Sequence, residues 1–328
     1  MKKITVIGSG AMGTACATVL KDNKHSVIIY GVDQNELCDL KTGCNLKYFE
    51  KNICIPCFET TNDMQFALKD VDYVVLAVPT KFIDPVMEAI LEEINKPVVF
   101  INVSKGFWPS STLSMHEGLE LKTKNNPLVR GIVSLIGPSF AIELVQRKIT
   151  LIDAVSNQLE LAKEIQELFS NDYMRVYTQI DVKGAETGAI FKNMLAIGSG
   201  MLEALGYSLN TQCAFLTRGL KEMETYNQFV NGNKQTLYGL TGLGDLMLTA
   251  LSSKSRNYSF GKEFIKNRDI NTNITVEGLN SVKLIYEEFI KTKKLDLPII
   301  ENLYNILYNK CNIQEAIKSL LKRPLKSE

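Results

Sequence analysis

A lysine stands at position 192 inside GAIFKNMLAIGS (residues 188–199), a small, apolar run of helical character. On a helix, positions 185, 188, 189, 192, 196 and 199 share one face. They are Ala, Gly, Ala, Lys, Ala and Ser. One long basic side chain on a nearly bare face leaves room for a ligand or another backbone. A buried ammonium needs a partner, although a single lysine is more often one that snorkels past a packed helix. Asp245, after the glycines of YGLTGLGDLMLTAL, has two readings: N-cap of the following helix or charge partner of Lys192. Ser255-Arg256-Asn257 reads as a polar loop whose donors suit a phosphate, with a guanidinium able to grip it at two points. The chain has only seven arginines against thirty lysines, so an arginine in that setting carries weight.

Two further stretches sit at the ends of apolar runs. Val103-Ser104-Lys105-Gly106 offers a second lysine, and Gly137-Pro138-Ser139-Phe140-Ala141 offers a serine. Ligands of open parallel sheets bind outside the carboxyl ends of the strands. Near the N-terminus, Gly8-Ser9-Gly10-Ala11-Met12-Gly13 is a GxGxxG between a strand and a helix. In that context it marks a dinucleotide site: glycines for the tight turn, for close approach of the pyrophosphate and for helix packing. An acid at the end of the second strand would favour NAD. SVIIY ends at Tyr30, so Gly31 takes that place and Asp33 lies further into the loop. Val32 supplies no arginine for a 2′-phosphate. NAD against NADP stays open, tilted toward NAD.

These residues need a scaffold. KITVIG, SVIIY, YVVLAVP (73–79), VVFINVS (98–104), GIVSLIG (131–137), TLIDAVS and MRVYTQ read as strands, the Val- and Ile-rich runs of a sheet covered on both faces. AMGTACATVLKD and NQLELAKEIQELFS read as helices between them, so the expected fold is α/β, a Rossmann-type doubly wound parallel sheet. After about residue 182 only helical patterns remain. Two domains follow, a dinucleotide-binding domain over 1–182 and an all-α substrate domain over 183–328, with no Pro/Gly-rich linker between them.

Composition narrows the function class. The 328 residues are 45% hydrophobic and 22% charged, with a formal net charge of +1. No global field attracts nucleic acid or a membrane surface, so an anionic ligand must be held by local charges. No apolar run approaches a membrane span, and MKKITVIGSG lacks a signal-peptide cleavage site. A cytoplasmic protein with seven reduced cysteines is expected. Cys54-Ile55-Pro56-Cys57 is a CxxC in loop-like surroundings. With only Cys44 nearby and two histidines in the chain, His25 and His116, no metal site is expected.

Taken together, the motifs resemble the bacterial-type NAD(P)-dependent glycerol-3-phosphate dehydrogenase family, essentially end to end. VIGSGAMGTA is similar to its cofactor loop, and VSKGF and GPSFA to its lysine and substrate-loop motifs. FKNMLAIGSGM resembles its catalytic-lysine helix, and LTRGLKEM, GLTGLGDLMLT, SRN and TVEG follow in the family's order. The resemblance implies reversible reduction of dihydroxyacetone phosphate to sn-glycerol 3-phosphate, a precursor of glycerophospholipids. It implies Lys192 as general acid/base, with Lys105 and Asp245 in the catalytic set. Lys105, Gly137, Ser139, Lys192, Asp245, Ser255, Arg256 and Asn257 would face substrate. Gly8, Ser9, Gly10, Ala11, Met12, Gly13, Lys105, Ala141, Arg256 and Glu277 would face the cofactor. The partner is a small phosphate-bearing molecule, and a homodimer is an expected assembly. Departures from the family pattern are Met12 for an aromatic, Val32 for a basic or polar residue, QRKIT after the GPSFA helix, and the loss of small residues around Asn210. A hydroxy-acid dehydrogenase and a non-catalytic nucleotide sensor are the competing readings; the SRN stretch argues against the first, and retention of Lys105, Lys192, Asp245 and Arg256 against the second.

Overall fold

The computed structural model describes residues 1–270 and 275–322. Eight strands form one sheet: β1 (Lys3–Ile7), β2 (Ser26–Tyr30), β3 (Glu59–Thr61), β4 (Tyr73–Leu76), β5 (Val98–Asn102), β6 (Val129–Ile136), β7 (Thr150–Val155) and β8 (Met174–Gln179). Their order is β3-β2-β1-β4-β5-β6-β7-β8. The first six are parallel, β1 lying between β2 and β4. β4 and β5 are buried at every residue, which is why their sequences are continuous rather than alternating.

Two features depart from the expected sheet. β3 is absent from the sequence reading because three residues, Glu-Thr-Thr, at a sheet edge carry no apolar run. β7 runs antiparallel to β6, with Ser134 opposite Val155 and Ile136 opposite Asp153, so the sheet is mostly, not wholly, parallel. After β6 the chain makes a five-residue helix, Ala141–Val145, that packs on the helix Ala11–Asp22. It never returns to the far end of the sheet, and a parallel partner requires that return. β8 then follows β7 in parallel through the helix Leu159–Phe169.

Beyond Gln179 no strand occurs among the described residues. The helical part is organised around Val182–Ala204, 23 residues long and buried over nearly its whole surface. The helices Leu209–Phe229, Asp245–Ala250, Arg256–Asn267 and Glu277–Ile285 pack around it. Its small residues make this possible. A Cβ on Gly188 would lie 2.3 Å from the carbonyl oxygen of Thr241. The segment bearing Asp245 therefore touches the central helix backbone to backbone.

Gly188→Ala should cost about 1–3 kcal/mol, the range for overpacking a close contact. The check is the urea midpoint at unchanged slope. A loss below about 0.5 kcal/mol, typical of a surface change, would show that the two backbones are not locked together.

Candidate active site

Asp245 lies at the centre. It is 1% exposed, and its carboxylate is shared by two ammonium groups. Lys192 Nζ donates to Oδ1 at 2.7 Å, and Lys105 Nζ to Oδ2 at 2.9 Å. Thr249, one turn further along, accepts from Lys192 at 3.1 Å and donates to Oδ1 at 3.2 Å. Lys105 also reaches the carbonyl oxygen of Gly137, at 3.5 Å. The strand ends of β5 and β6 thus meet the central helix through one carboxylate.

Each member arrives by a local device. Asp245 follows a wide, π-helical turn, Leu240–Gly244, pressed on Gly188. Such turns recur at functional positions because they re-aim the next side chain. Asp245 does not cap its helix, as one sequence reading had it: Gly244 occupies the N-cap position, and the carboxylate turns to the lysines. Lys105 is held by the turn after β5. Asn102 accepts from the Ser104 amide at 3.0 Å and donates to the Ser104 carbonyl at 2.9 Å. Ser104 Oγ ties that turn to Val78 O, beyond β4, at 2.7 Å.

Two cations facing one anion split their proton affinities. Burial pushes Lys192 down to about 8, the Lys105 charge adding to it and Asp245 opposing it. For Lys105 burial also acts downward, but the charge and hydrogen bond of Asp245 outweigh it and the net shift is upward. Burial alone would raise Asp245; the two lysines hold it below the usual carboxylate value. With both ammoniums protonated the cluster carries one excess positive charge, suited to an anionic ligand.

The other anticipated residues are engaged differently. Ser255-Arg256-Asn257 is a helix start, not a loop. Ser255 is the N-cap, accepting from the Tyr258 amide at 3.3 Å, and Arg256 is the first helical residue, exposed to solvent. A serine three residues before an amide captures it more readily than it stays open, which is the reason the loop reading fails. Asn257 is buried and bridges Asn193 Oδ1, at 3.0 Å, to the amide of Gly278, also at 3.0 Å. Asn193 in turn donates to Glu277 at 3.3 Å. Burial raises Glu277 despite Arg256, Lys192 and Lys105 nearby. Asn193 and Thr249 escaped the sequence reading. Each is adjacent to, or one turn from, a residue that was singled out, and that spacing was the available signal. Ser139 Oγ donates to Gly137 O at 3.2 Å, just before Ala141 opens its helix.

At the carboxyl end of β1, Gly8 adopts φ +119, and a Cβ there would meet Ala77 O at 2.5 Å. The N-cap Gly10 supplies no side-chain oxygen to the helix Ala11–Asp22. A Cβ on Gly10 would meet only the Tyr48 ring, at 3.8 Å. Uncapped amides opening onto space fit a pyrophosphate, and Ala11, Met12 and Gly13 form that first turn. Ser9 Oγ instead donates inward to the buried Glu36. Lys47 bonds both Glu36 and Asp33, the latter at 3.0 Å, and Asp33 caps the helix Gln34–Lys41. Beside β2 an acid and a base are therefore paired, while Val32 is exposed. The seven cysteines are all free thiols. Among the described residues no His/Cys/Asp/Glu group could hold a metal, and no helix is long and apolar enough to cross a membrane.

A glycine turn that fits a dinucleotide, and a buried lysine of lowered proton affinity facing the strand ends, agree with one class: a nicotinamide-dependent oxidoreductase with a helical second half. Family models described as NAD-dependent glycerol-3-phosphate dehydrogenase N-terminus and C-terminus match residues 3–162 and 181–318. The chain belongs to the NAD-dependent glycerol-3-phosphate dehydrogenase family. A glycerol-3-phosphate dehydrogenase [NAD(P)+] of Mycoplasma mobile is 50% identical over 99% of this chain and 98% of that protein. The enzyme of the same description from Enterococcus faecalis is 36% identical over 100% and 97%. The crystal structure of glycerol-3-phosphate dehydrogenase from Coxiella burnetii superposes with TM-score 0.87 at 27% identity, covering 98% of this chain and 99% of that one.

Asp245→Asn leaves one buried and one half-buried ammonium group without a counter-charge and should cost about 3–5 kcal/mol at neutral pH. Without the carboxylate, both folded-state lysines titrate below their unfolded value of about 10.4. The unfolded chain then binds more protons, so the variant's stability should rise with pH over that window. Denaturant midpoints across pH 7 to 10 provide the measurement. A deficit that widens with pH would mean that Asp245 does not hold the lysines charged.

Proposed function

We propose that Lys192 is the general acid/base of this NAD(P)-dependent glycerol-3-phosphate dehydrogenase, acting on dihydroxyacetone phosphate and sn-glycerol 3-phosphate. The observation that carries the reading is the buried carboxylate of Asp245 shared between Lys192 and Lys105 at the strand ends. The nicotinamide, when bound, supplies the hydride in reduction and accepts it in oxidation. Gly8, Gly10, Ala11, Met12 and Gly13 would hold the coenzyme's pyrophosphate through backbone amides, with Ser9 buttressing the loop from below through Glu36 and Ala141 and Glu277 lining the coenzyme side.

In reduction, negative charge develops on the carbonyl oxygen, and Lys192 hydrogen-bonds that oxygen and gives it a proton. In oxidation the neutral amine takes the proton back from the hydroxyl. Asp245 orients Lys192 and keeps Lys105 cationic beside the substrate oxygens. Arg256, exposed at its helix start, faces the phosphate, and Ser255, Asn257, Ser139 and Gly137 shape that subsite. Anchoring the phosphate fixes the reacting carbon and lowers the entropic cost of approach. The domain division at 182/183, a cytoplasmic location and a homodimeric state complete this reading. The division follows the loss of strand patterns after residue 182, and sedimentation of the purified chain tests the homodimer.

Reduction needs Lys192 protonated and oxidation needs it neutral. With Lys192 lowered to about 8, kcat/KM for reduction should fall as pH rises through that value, and kcat/KM for oxidation should rise through it. Loss of the near-ultraviolet absorbance of NADH and of NADPH on adding dihydroxyacetone phosphate measures the reaction and the coenzyme preference together. Lys192→Ala should lower kcat by about 10²–10⁴-fold, the usual worth of a general acid. Turnover of the variant near the wild-type level would overturn the assignment.

A further inference from the structure

A second buried polar chain runs behind the site. Ser134 on β6 is fully buried, as is His116 on the helix Met115–Thr123, and Glu186 on the central helix is 1% exposed. Ser134 Oγ lies 3.0 Å from His116 Nδ1, 3.3 Å from Glu186 Oε1 and 3.2 Å from Asn102 Nδ2. On the outer side, Glu120 Oε1 is 3.6 Å from His116 Nε2, and the Glu120 side chain is 38% exposed. Five buried side-chain polar atoms of the described residues lack a hydrogen-bond partner, and two of them, His116 Nε2 and Glu186 Oε2, are the two ends of this chain.

The proton arrangement is constrained. The Ser104 amide can only donate, so Asn102 must turn its oxygen to it and its Nδ2 toward Ser134. A serine hydroxyl has one hydrogen and two acceptor sites. With one acceptor site taken by Asn102, Ser134 must accept from one of His116 and Glu186 and donate to the other. With a neutral ring, two arrangements satisfy all three contacts. In the first, His116 Nδ1–H donates to Ser134, and Ser134 donates to the Glu186 carboxylate. In the second, the carboxylic acid of Glu186 donates to Ser134, Ser134 donates to Nδ1, and the histidine proton sits on Nε2, toward Glu120.

We propose that Glu120, His116, Ser134 and Glu186 form a proton relay through which Glu186 takes up a solvent proton when an anionic substrate neutralises Lys105. The inference rests on the reading that Lys105 faces the substrate. The charged groups facing Glu186 are Lys105, beyond β5, and Glu117, on the His116 helix. A substrate anion at Lys105 offsets one of the influences that favour the Glu186 carboxylate, the others being its hydrogen bonds from Ser134 and the His116 amide. The transfer balances as follows: a proton bonds to Nε2, the Nδ1–H bond breaks as Ser134 Oγ gains that proton, and the Ser134 hydroxyl proton passes to Glu186. One proton has entered, Glu186 is neutral and so is the ring. Burial moves the Glu186 titration up to about 8, within the working range of the site.

The test uses a complex that cannot turn over: enzyme with reduced coenzyme, titrated with sn-glycerol 3-phosphate in buffers of different ionisation enthalpy near pH 8. Net proton uptake is expected, and Glu186→Gln should remove part of it, at most about half a proton, the share open to a group at its own pKa. Ser134→Ala should leave the final uptake but make it lag behind complex formation, read by a pH indicator in rapid mixing. Undiminished uptake in Glu186→Gln, or uptake that stays synchronous with binding in Ser134→Ala, overturns the relay. Wild-type turnover of dihydroxyacetone phosphate on the same sample reads the reaction assignment separately.

Discussion

One buried carboxylate governs this molecule. Asp245 cannot be left alone in the interior, because an unpaired charge there costs far more than the fold can spare. Its two lysines come from different parts of the chain, one from the turn after β5 and one from the central helix. The ion cluster therefore works only if the sheet edge and the helix bundle meet in one register. Gly188 and the wide turn before Asp245 satisfy that demand on one side, and the Asn102–Ser104 turn satisfies it on the other.

The same arrangement separates the lysines chemically. Lys192 is buried and Lys105 half-buried, yet Lys105 rises in pKa and Lys192 falls to about 8. Groups of one type pushed apart by shared surroundings suit different tasks, a fixed charge for the one held up and proton exchange near neutral pH for the one brought down. A single lysine with a private carboxylate would have been held charged. Burial brings Lys192 down, and the Lys105 charge on the shared anion adds to it.

Around this cluster the polar side chains mostly serve geometry. Asn257 and Asn193 tie the helix starts at Arg256 and Glu277 to the central helix. Ser255 caps its own helix and so fixes where Arg256 emerges. Asn102 orients both the Lys105 turn and Ser134. Residues that resemble ligand contacts by type are, in part, the fasteners that make the contacts of their neighbours reproducible.

How much was readable in advance follows from the range of each signal. Local signals were legible: the glycine cradle from Gly8 to Gly13, the strands of continuous Val and Ile, and the lysine stranded among small residues at 192. Their meaning depends on neighbours within a few positions, so the sequence by itself determined a Rossmann-type sheet, a helical second half and a family. The three-residue edge strand β3 and the reversal of β7 were not legible, because pairing direction depends on where a connection travels. Nor could the sequence choose between Asp245 as a cap and Asp245 as a counter-ion, or see Arg256 as a helix start. The tertiary structure decided these. The partners lie 53 residues away at Lys192 and 140 away at Lys105, and a carboxylate's choice between a backbone amide and an ammonium is made by burial that exists only in the folded chain.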